Sequence, residues 1–350
     1  MTYQPPWLII RTPRGRFSLR LDRRVLPVLT TLSAIALVAF AVSLGYGEYP
    51  ISPLDVLETL FGIETENTDV AFIVTTLRLP RTLTAFLVGM GLGVSGAILQ
   101  CLTRNPLAAP GIIGVNAGAS LAAVALIVWL PNAPLFALPV GAFVGAITMT
   151  LPLYALARSR YHSPLHLILV GIGLSAIATA LTTLAITLGE IHNVSQALVW
   201  MSGSVYGRSW SHVWSLLPWL VVLVPLAFFS GRNLNALNLG EDVSRGLGVA
   251  IERQRSGLWL ISAALAAASV ATAGTVAFVG FVAPHLARQF VGASHEGLIP
   301  TAALTGGTLV VVADLIGRSL FAPTQLPCGI VTGILGAPYF LYLLYKVNRS

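Results

Sequence analysis

Arg78 and Arg81 stand at the lip of a long apolar run that continues TLTAFLVGMGLGVSGAILQ, a place where a residue without a task is seldom charged. A second charged constellation lies far along the chain. Asp314, the clear carboxylate inside the apolar segments, is four residues before Arg318, a spacing that would let the two pair on one helix face. The groups that catalysis needs are missing. No G-x-x-x-x-G-K-[ST] loop occurs and Lys346 is the sole lysine, so ATP is not bound in the Walker manner. There is no H-E-x-x-H, G-x-S-x-G or CxxC pair, and the six histidines have no ligand spacing, which leaves no metal site. His285, beside Pro284, reads as a structural hydrogen-bonding residue. A proton- or sodium-driven carrier usually keeps ionisable groups near the membrane midplane, and this chain has none there, so its energy is expected from another protein.

Composition says what must position these residues. Of 350 residues 55% are hydrophobic and 9% charged, and the mean hydropathy is +0.82, values that describe a polytopic membrane protein. A net charge of +7 would suggest nucleic acid in a water-soluble chain. Here the arginines lie between apolar spans, where they set orientation, and no nucleic-acid partner is expected. Cys101 and Cys328 both sit in or beside apolar segments and read as small packing residues. The N-terminal apolar run is long enough to span and lacks an A-x-A-like cleavage site, so it reads as a first membrane helix.

Apolar stretches of about 17 to 23 residues fall near 25–45, 82–102, 112–130, 137–157, 167–188, 213–230, 257–273, 275–291, 298–317 and 327–345. The reading is thus an all-α protein of about ten transmembrane helices: a cytoplasmic tail over 1–24, one permease domain over 25–346 and a cytoplasmic end at 347–350. The seventh and eighth spans fit only if the eighth is short or broken near Pro284. With a cytoplasmic N-terminus, all of the 20 arginines and lysines lie inside except Arg78, Arg81, Arg208 and Arg318. The split supports the orientation and turns those four into exceptions needing a reason.

The external loop 47–77 is acidic, and ISPLDVLETLFG within it spaces Leu54, Leu57, Leu60 and Phe61 as a short surface helix, read as a packed lid. Gly89 and Gly93 have G-x-x-x-G spacing, repeated at Gly141 and Gly145, which lets helix backbones approach closely. Ser95 and Gln100, polar on the same span, either face an aqueous pathway or make interhelical hydrogen bonds. RNPLAAPG then breaks the chain on the cytoplasmic side. Trp200, Tyr206, Trp210 and Trp214 read as an interfacial aromatic belt. The loop 231–256 interleaves Leu234, Leu237, Leu239, Val243 and Leu247 with Glu241, Asp242 and Arg245, as two short helices meeting at Gly240. It is too apolar to be left in water, which points to a docking surface for a soluble partner. Gly96 precedes Pro106 by ten residues and Gly274 precedes Pro284 by ten, a weak hint of an internal repeat.

Taken together, LRLPRTLTAFLVGMGLGVSGAILQ, RNPLAAPGIIGVNAGA, LNLGEDVSRGLGV, VAFVGFVAPHLAR and ADLIGRSLFAPTQLPCGIVTGILGAPYF resemble the FecCD family of ABC-importer permeases, which carry ferric siderophores, haem and vitamin B12. The resemblance runs from about Ile51 to Leu344. It implies a vitamin B12 permease-like, type II importer fold of ten membrane helices. It also implies two permease chains, identical or paralogous, around one pathway, two cytoplasmic ATPase subunits and a periplasmic or lipoprotein substrate-binding protein. By motif, Arg78, Arg81 and Arg318 would accept acidic residues of the binding protein, for which the arginine fork is suited. Gly240, Glu241, Asp242 and Gly248 would mark the ATPase-coupling loop, and Asn105 and Leu107 the cytoplasmic gate. A second gate segment falls near Pro164 and Leu165, where the vitamin B12 permease has small hydroxyl residues; Gln325 stands where an acidic residue is more usual. The implied function is passage of a ferric siderophore across a bacterial inner membrane. No cofactor is bound by the chain and ATP-Mg belongs to the partner. Alternatives are a haem or cobalamin permease or, from another class, a stand-alone channel or secondary carrier.

Overall fold

A computed structural model describes residues 7–11, 18–47, 49–63, 68–158, 164–320 and 322–347. The expectations resting on Arg14, Arg16, Glu48, Glu64, Glu66, Arg160 and Arg349 lie outside the described residues. A hairpin of β1 (Trp7–Arg11) and β2 (Ser18–Asp22) precedes a helical body. Its helices are α1 (Val25–Gly45), α2 (Pro53–Leu60), α3 (Thr68–Phe72), α4 (Leu79–Leu102), α5 (Val115–Trp129), α6 (Ala137–Arg158), α7 (Pro164–Thr187) and α8 (Ile191–Met201). They are followed by α9 (Trp210–Phe229), α10 (Gly231–Asn238), α11 (Glu241–Gly246), α12 (Ile251–Ala273), α13 (Val279–Val291), α14 (His295–Ser319) and α15 (Cys328–Val347).

Among the described residues eight helices are long and apolar enough to cross a membrane. The two remaining expected spans are α5 and α13, of 15 and 13 residues, or about 20 Å at 1.5 Å per residue, too short to cross a hydrocarbon core of about 30 Å alone. The eighth span is shortened at its beginning. The chain is irregular from Gly274, with Phe278 at φ +63°, while α13 runs through Pro284 without breaking. The two matching spacings fall on unlike elements, since Pro106 lies in a loop and Pro284 inside a helix.

The helix that positions most of the candidate residues is α4. It continues α3 through a wider π-type turn at Ile73–Arg78, giving one run of 34 residues, Asp69–Leu102, about 51 Å and longer than the hydrocarbon core. Of its most apolar window 83% is buried inside the chain, against 17% to 22% for α1, α6, α7 and α9. The cause is the glycine series. A Cβ at Gly89 would overlap the Gly306 carbonyl, one at Gly93 that of Ala302 and one at Gly96 that of Gly280, so α14 and α13 lie backbone to backbone against α4. Gly118 and Gly145 allow the same approach between α5 and α6. Packing at this distance is what holds helices together where lipid removes the hydrophobic drive for association.

The acidic loop contains the expected surface helix, α2, capped by the Ser52 hydroxyl accepting from the Asp55 N–H. Its face is not the expected one. Leu54, Leu57, Leu60 and Phe61 are exposed, while Thr59 is buried and Val56 packs with Leu44, Val70 and Val74. The apolar spacing therefore marks a face that the chain itself does not cover, and not the packed side of a lid.

Candidate functional site

At the end of α4 that the charge distribution assigns to the outside, here termed the outer end, Arg78 is buried beneath the end of α1. Its guanidinium donates to the carbonyls of Leu44 (2.6 Å), Gly45 (3.0 Å) and Tyr49. Leu44 and Gly45 are the last residues of α1, where a cation both hydrogen-bonds the terminal carbonyls and opposes the helix dipole; Tyr49 lies in the loop beyond. Gly47 is required here, because a side chain there would collide with the Arg78 guanidinium.

Arg81, one turn further on, points toward α14. Its Nη2 and Nε reach the Asp314 carboxylate at 2.8 and 3.0 Å, and its Nη1 donates to Gln325 Oε1 at 2.8 Å. The pair is nearly dry, with side chains 12% and 3% exposed. The expected pairing of Asp314 with Arg318 on one face of α14 is thus replaced. Arg81 reaches the carboxylate with two prongs from a neighbouring helix, whereas Arg318 turns to α1 and donates to the Ser43 carbonyl and hydroxyl. The Ser43 hydroxyl in turn contacts Thr82 Oγ1 at 2.8 Å. Among the described residues the buried Arg318 Nε has no hydrogen-bond partner. Gln325, which replaces the acidic residue expected there, leaves Asp314 as the one carboxylate that Arg81 touches.

At the inner end α4 stops where Arg104 enters the left-handed region, φ +48°. Asn105 Oδ1 accepts the Leu107 N–H at 2.9 Å and so shapes the break. Leu107 lines a cavity of about 350 Å³ with Pro110, Asn116, Phe278 and Phe281. Gln100 spans α13, donating to the Phe281 carbonyl (3.3 Å) and accepting from Arg288 (3.1 Å). Ser95 is fully buried and bonded to the Ser262 carbonyl and hydroxyl at 2.8 and 2.9 Å, which is the interhelical bond of the two readings open for it. Pro164 begins α7; Leu165 follows it.

The loop between α9 and α12 folds as two short helices, α10 and α11, joined at Gly240 (φ +115°), with Gly248 (φ +77°) ending the second. Leu234 and Leu237 are buried, while Leu239, Val243 and Leu247 stay exposed. Glu241 contacts Arg255 at 2.8 Å and Arg245 at 3.9 Å, and Asp242 remains at the surface. Sequence reasoning missed what straps this loop down. Asn235 Nδ2 donates to Glu296 Oε2 at 2.6 Å and its Oδ1 accepts the His295 N–H at 2.8 Å, while Arg104 donates to the Leu237 carbonyl at 3.3 Å. The signal was present in part, as an asparagine among leucines and an acid opening an apolar helix. The first of these helices, α10, packs on both α4 and α14, whose outer ends hold Arg81 and Asp314.

Known proteins share this arrangement in sequence as well as in fold. The FecCD transport family matches residues 35–346, nearly the whole chain. This chain belongs to the FecCD family. Among its relatives, the iron(3+)-hydroxamate import system permease protein FhuG of Bacillus subtilis (strain 168) is 41% identical, the match covering 92% of this chain and 97% of that protein. The achromobactin transport system permease protein CbrC of Dickeya dadantii (strain 3937) is 42% identical over 95% of both. The Fe(3+) dicitrate transport system permease protein FecD of Escherichia coli (strain K12) is 40% identical over 79% of this chain and 86% of its own. In three dimensions, a chain described as a metal-chelate type ABC transporter in an inward-facing conformation superposes with a TM-score of 0.82 at 29% identity, covering 92% of this chain and 99% of that one. Membership of the FecCD family makes this a multi-span membrane permease whose relatives are transporter subunits.

Proposed function

We propose that the chain is the permease subunit of a binding-protein-dependent ABC importer, passing a ferric siderophore across the bacterial inner membrane with both termini in the cytoplasm. The observation that carries this is the family match over 35–346, joined to relatives named for iron-hydroxamate, achromobactin and iron-dicitrate transport. A second permease chain, identical or paralogous, completes the pathway. Two ATPase subunits turn over ATP-Mg, and a binding protein delivers the cargo.

On this reading the loaded binding protein docks at the outer arginines. Arg81 and Arg318 receive its carboxylates: Arg81 by exchange with Asp314, Arg318 through the Nε that has no hydrogen-bond partner among the described residues. Arg78 holds the frame, since a carboxylate would have to displace three backbone carbonyls from it. The ATPase binds the exposed apolar residues around Gly240, Glu241, Asp242 and Gly248, and α10 passes its movement to α4 and α14. Gln100, Asn105 and Leu107 lie where that movement alters the cytoplasmic exit.

The test is uptake of labelled ferric siderophore by vesicles containing the reconstituted complex. Accumulation should require both ATP and the binding protein. Uptake by the permease alone would make it a carrier or channel, and preferential movement of haem or cobalamin would reassign the cargo. Charge reversal at Arg81 and Arg318 together should abolish stimulation of ATP hydrolysis by the loaded binding protein, and undiminished stimulation would remove the docking assignment.

A further inference from the structure

We propose, resting on the permease reading, that a cavity at the outer end of α8 and α9 is an entry site for an anionic, carboxylate-bearing ferric chelate, and that Arg208 recognises its charge. The cavity measures about 640 Å³ and is walled by Trp200, Gln196, Ser204, Tyr206 and Gln325. That volume lies in the range of small-molecule sites, which pair apolar and aromatic walls with a few convergent polar groups. Arg208 is the one charged residue in its lining, and no carboxylate among the lining residues opposes it.

The guanidinium of Arg208 lacks the partners that its burial demands. Among the described residues it makes a single hydrogen-bond contact, from Nη1 to His212 Nε2 at 3.2 Å, and its buried Nε has none. That contact depends on the tautomer, since His212 Nδ1 also lies 3.1 Å from Ser209 Oγ and can donate to it. The Ser209 N–H points at His212 Nδ1 at 3.2 Å, and a neutral imidazole has one acceptor nitrogen, so it cannot accept from both. Burial accordingly holds the Arg208 guanidinium below its ordinary value.

Arg81, on the other side of Gln325, makes the contrast. Its guanidinium lies 5.5 Å from the Tyr206 ring and its charge is already matched by Asp314. A half-buried cation with no counter-charge is costly to keep unless something brings the charge in. Arginine's fork takes a carboxylate in two-pronged fashion. Its recess in a concavity suits a small ligand better than a side chain on a docking protein.

The experiment uses the permease–ATPase complex in nanodiscs. Ferric citrate is the anionic probe and a neutral ferric trihydroxamate the comparison, each measured by equilibrium dialysis without the binding protein. The wild-type complex should prefer ferric citrate, with affinity falling as salt rises. Arg208→Gln should weaken ferric citrate at least tenfold, Arg208→Lys less, and the trihydroxamate by under twofold. Gln196→Glu, a change at an exposed position on the cavity wall, should weaken ferric citrate in the same selective way, and guards against an Arg208 variant that fails to fold. Equal affinity of Arg208→Gln for ferric citrate overturns the proposal, as does equal loss for both probes or a wild type without preference for the anion. Loss of binding-protein-stimulated ATP hydrolysis with unchanged ferric citrate affinity would make Arg208 a docking residue and also overturn it. Siderophore uptake by the wild-type vesicles fails or succeeds independently, so the permease reading and the role of Arg208 are separable.

Discussion

The two ends of α4 and α14 differ in the surface that lies beside them. At the outer end charge is held within the chain: Arg78 on backbone carbonyls, Arg81 on Asp314, Arg318 on Ser43. At the inner end Glu296 and Arg288 are likewise held, by Asn235 and Gln100, but the adjoining loop leaves apolar surface open, with Leu239, Val243 and Leu247 at 64%, 49% and 63% exposure. Apolar faces belong to interfaces that persist, whereas charged groups that already have partners can exchange them and release again. On the function proposed above, the contrast would suit a permanent ATPase on one face and a visiting binding protein on the other.

The largest effect is expected where the ends are joined. Gly96→Leu would drive a side chain into the Gly280 carbonyl, separating α4 from α13 at a cost well above the 1–3 kcal/mol of ordinary overpacking, about 4 kcal/mol or more. Little monodisperse protein should survive size-exclusion chromatography in detergent. A well-behaved, active variant would refute the close approach that links the two ends.

Next comes the outer charge pair. Asp314→Asn strands Arg81 without its counter-charge, which for a buried pair costs about 3–5 kcal/mol, and the thermal midpoint should drop accordingly. Adding Arg81→Gln to that variant should recover much of the loss, because a neutral pair leaves no isolated charge. If the double variant is as unstable as the single one, the outer end is held by something other than this pair.

The inner face should respond differently. Leu239→Asp with Leu247→Asp alters exposed positions, so stability should change by about 0.5 kcal/mol or less while co-purification of the ATPase is lost. Raising ionic strength from about 0.1 to about 1 M shortens the Debye length from about 10 to about 3 Å; binding-protein affinity should fall and ATPase retention should not. Equal salt sensitivity at both ends would erase the distinction. The smallest effect on stability is expected from Glu241→Gln, since its partly exposed pair with Arg255 is worth about 0.2–1 kcal/mol. More ATP should nonetheless be hydrolysed per iron delivered, and an unaltered ratio would take Glu241 out of the coupling loop.

Much of this was legible in the chain itself. Hydropathy located the helices and the G-x-x-x-G spacing announced where backbones meet, because segment length and the absence of side chains are local properties. The motifs around Arg78, Asn105, Gly240 and Asp314 identified the family, and the glycine at 240 placed the joint between α10 and α11. Tertiary structure alone decided partners and faces. Asp314 chose Arg81, 233 residues away, over Arg318 one turn along, since ion pairing follows distance and approach angle through space. The leucines of α2 faced outward because periodicity shows that a helix has an apolar face, not what covers it. The unmatched charge of Arg208 emerged only with the cavity, for a missing partner is a fact about neighbours that no single stretch of sequence contains.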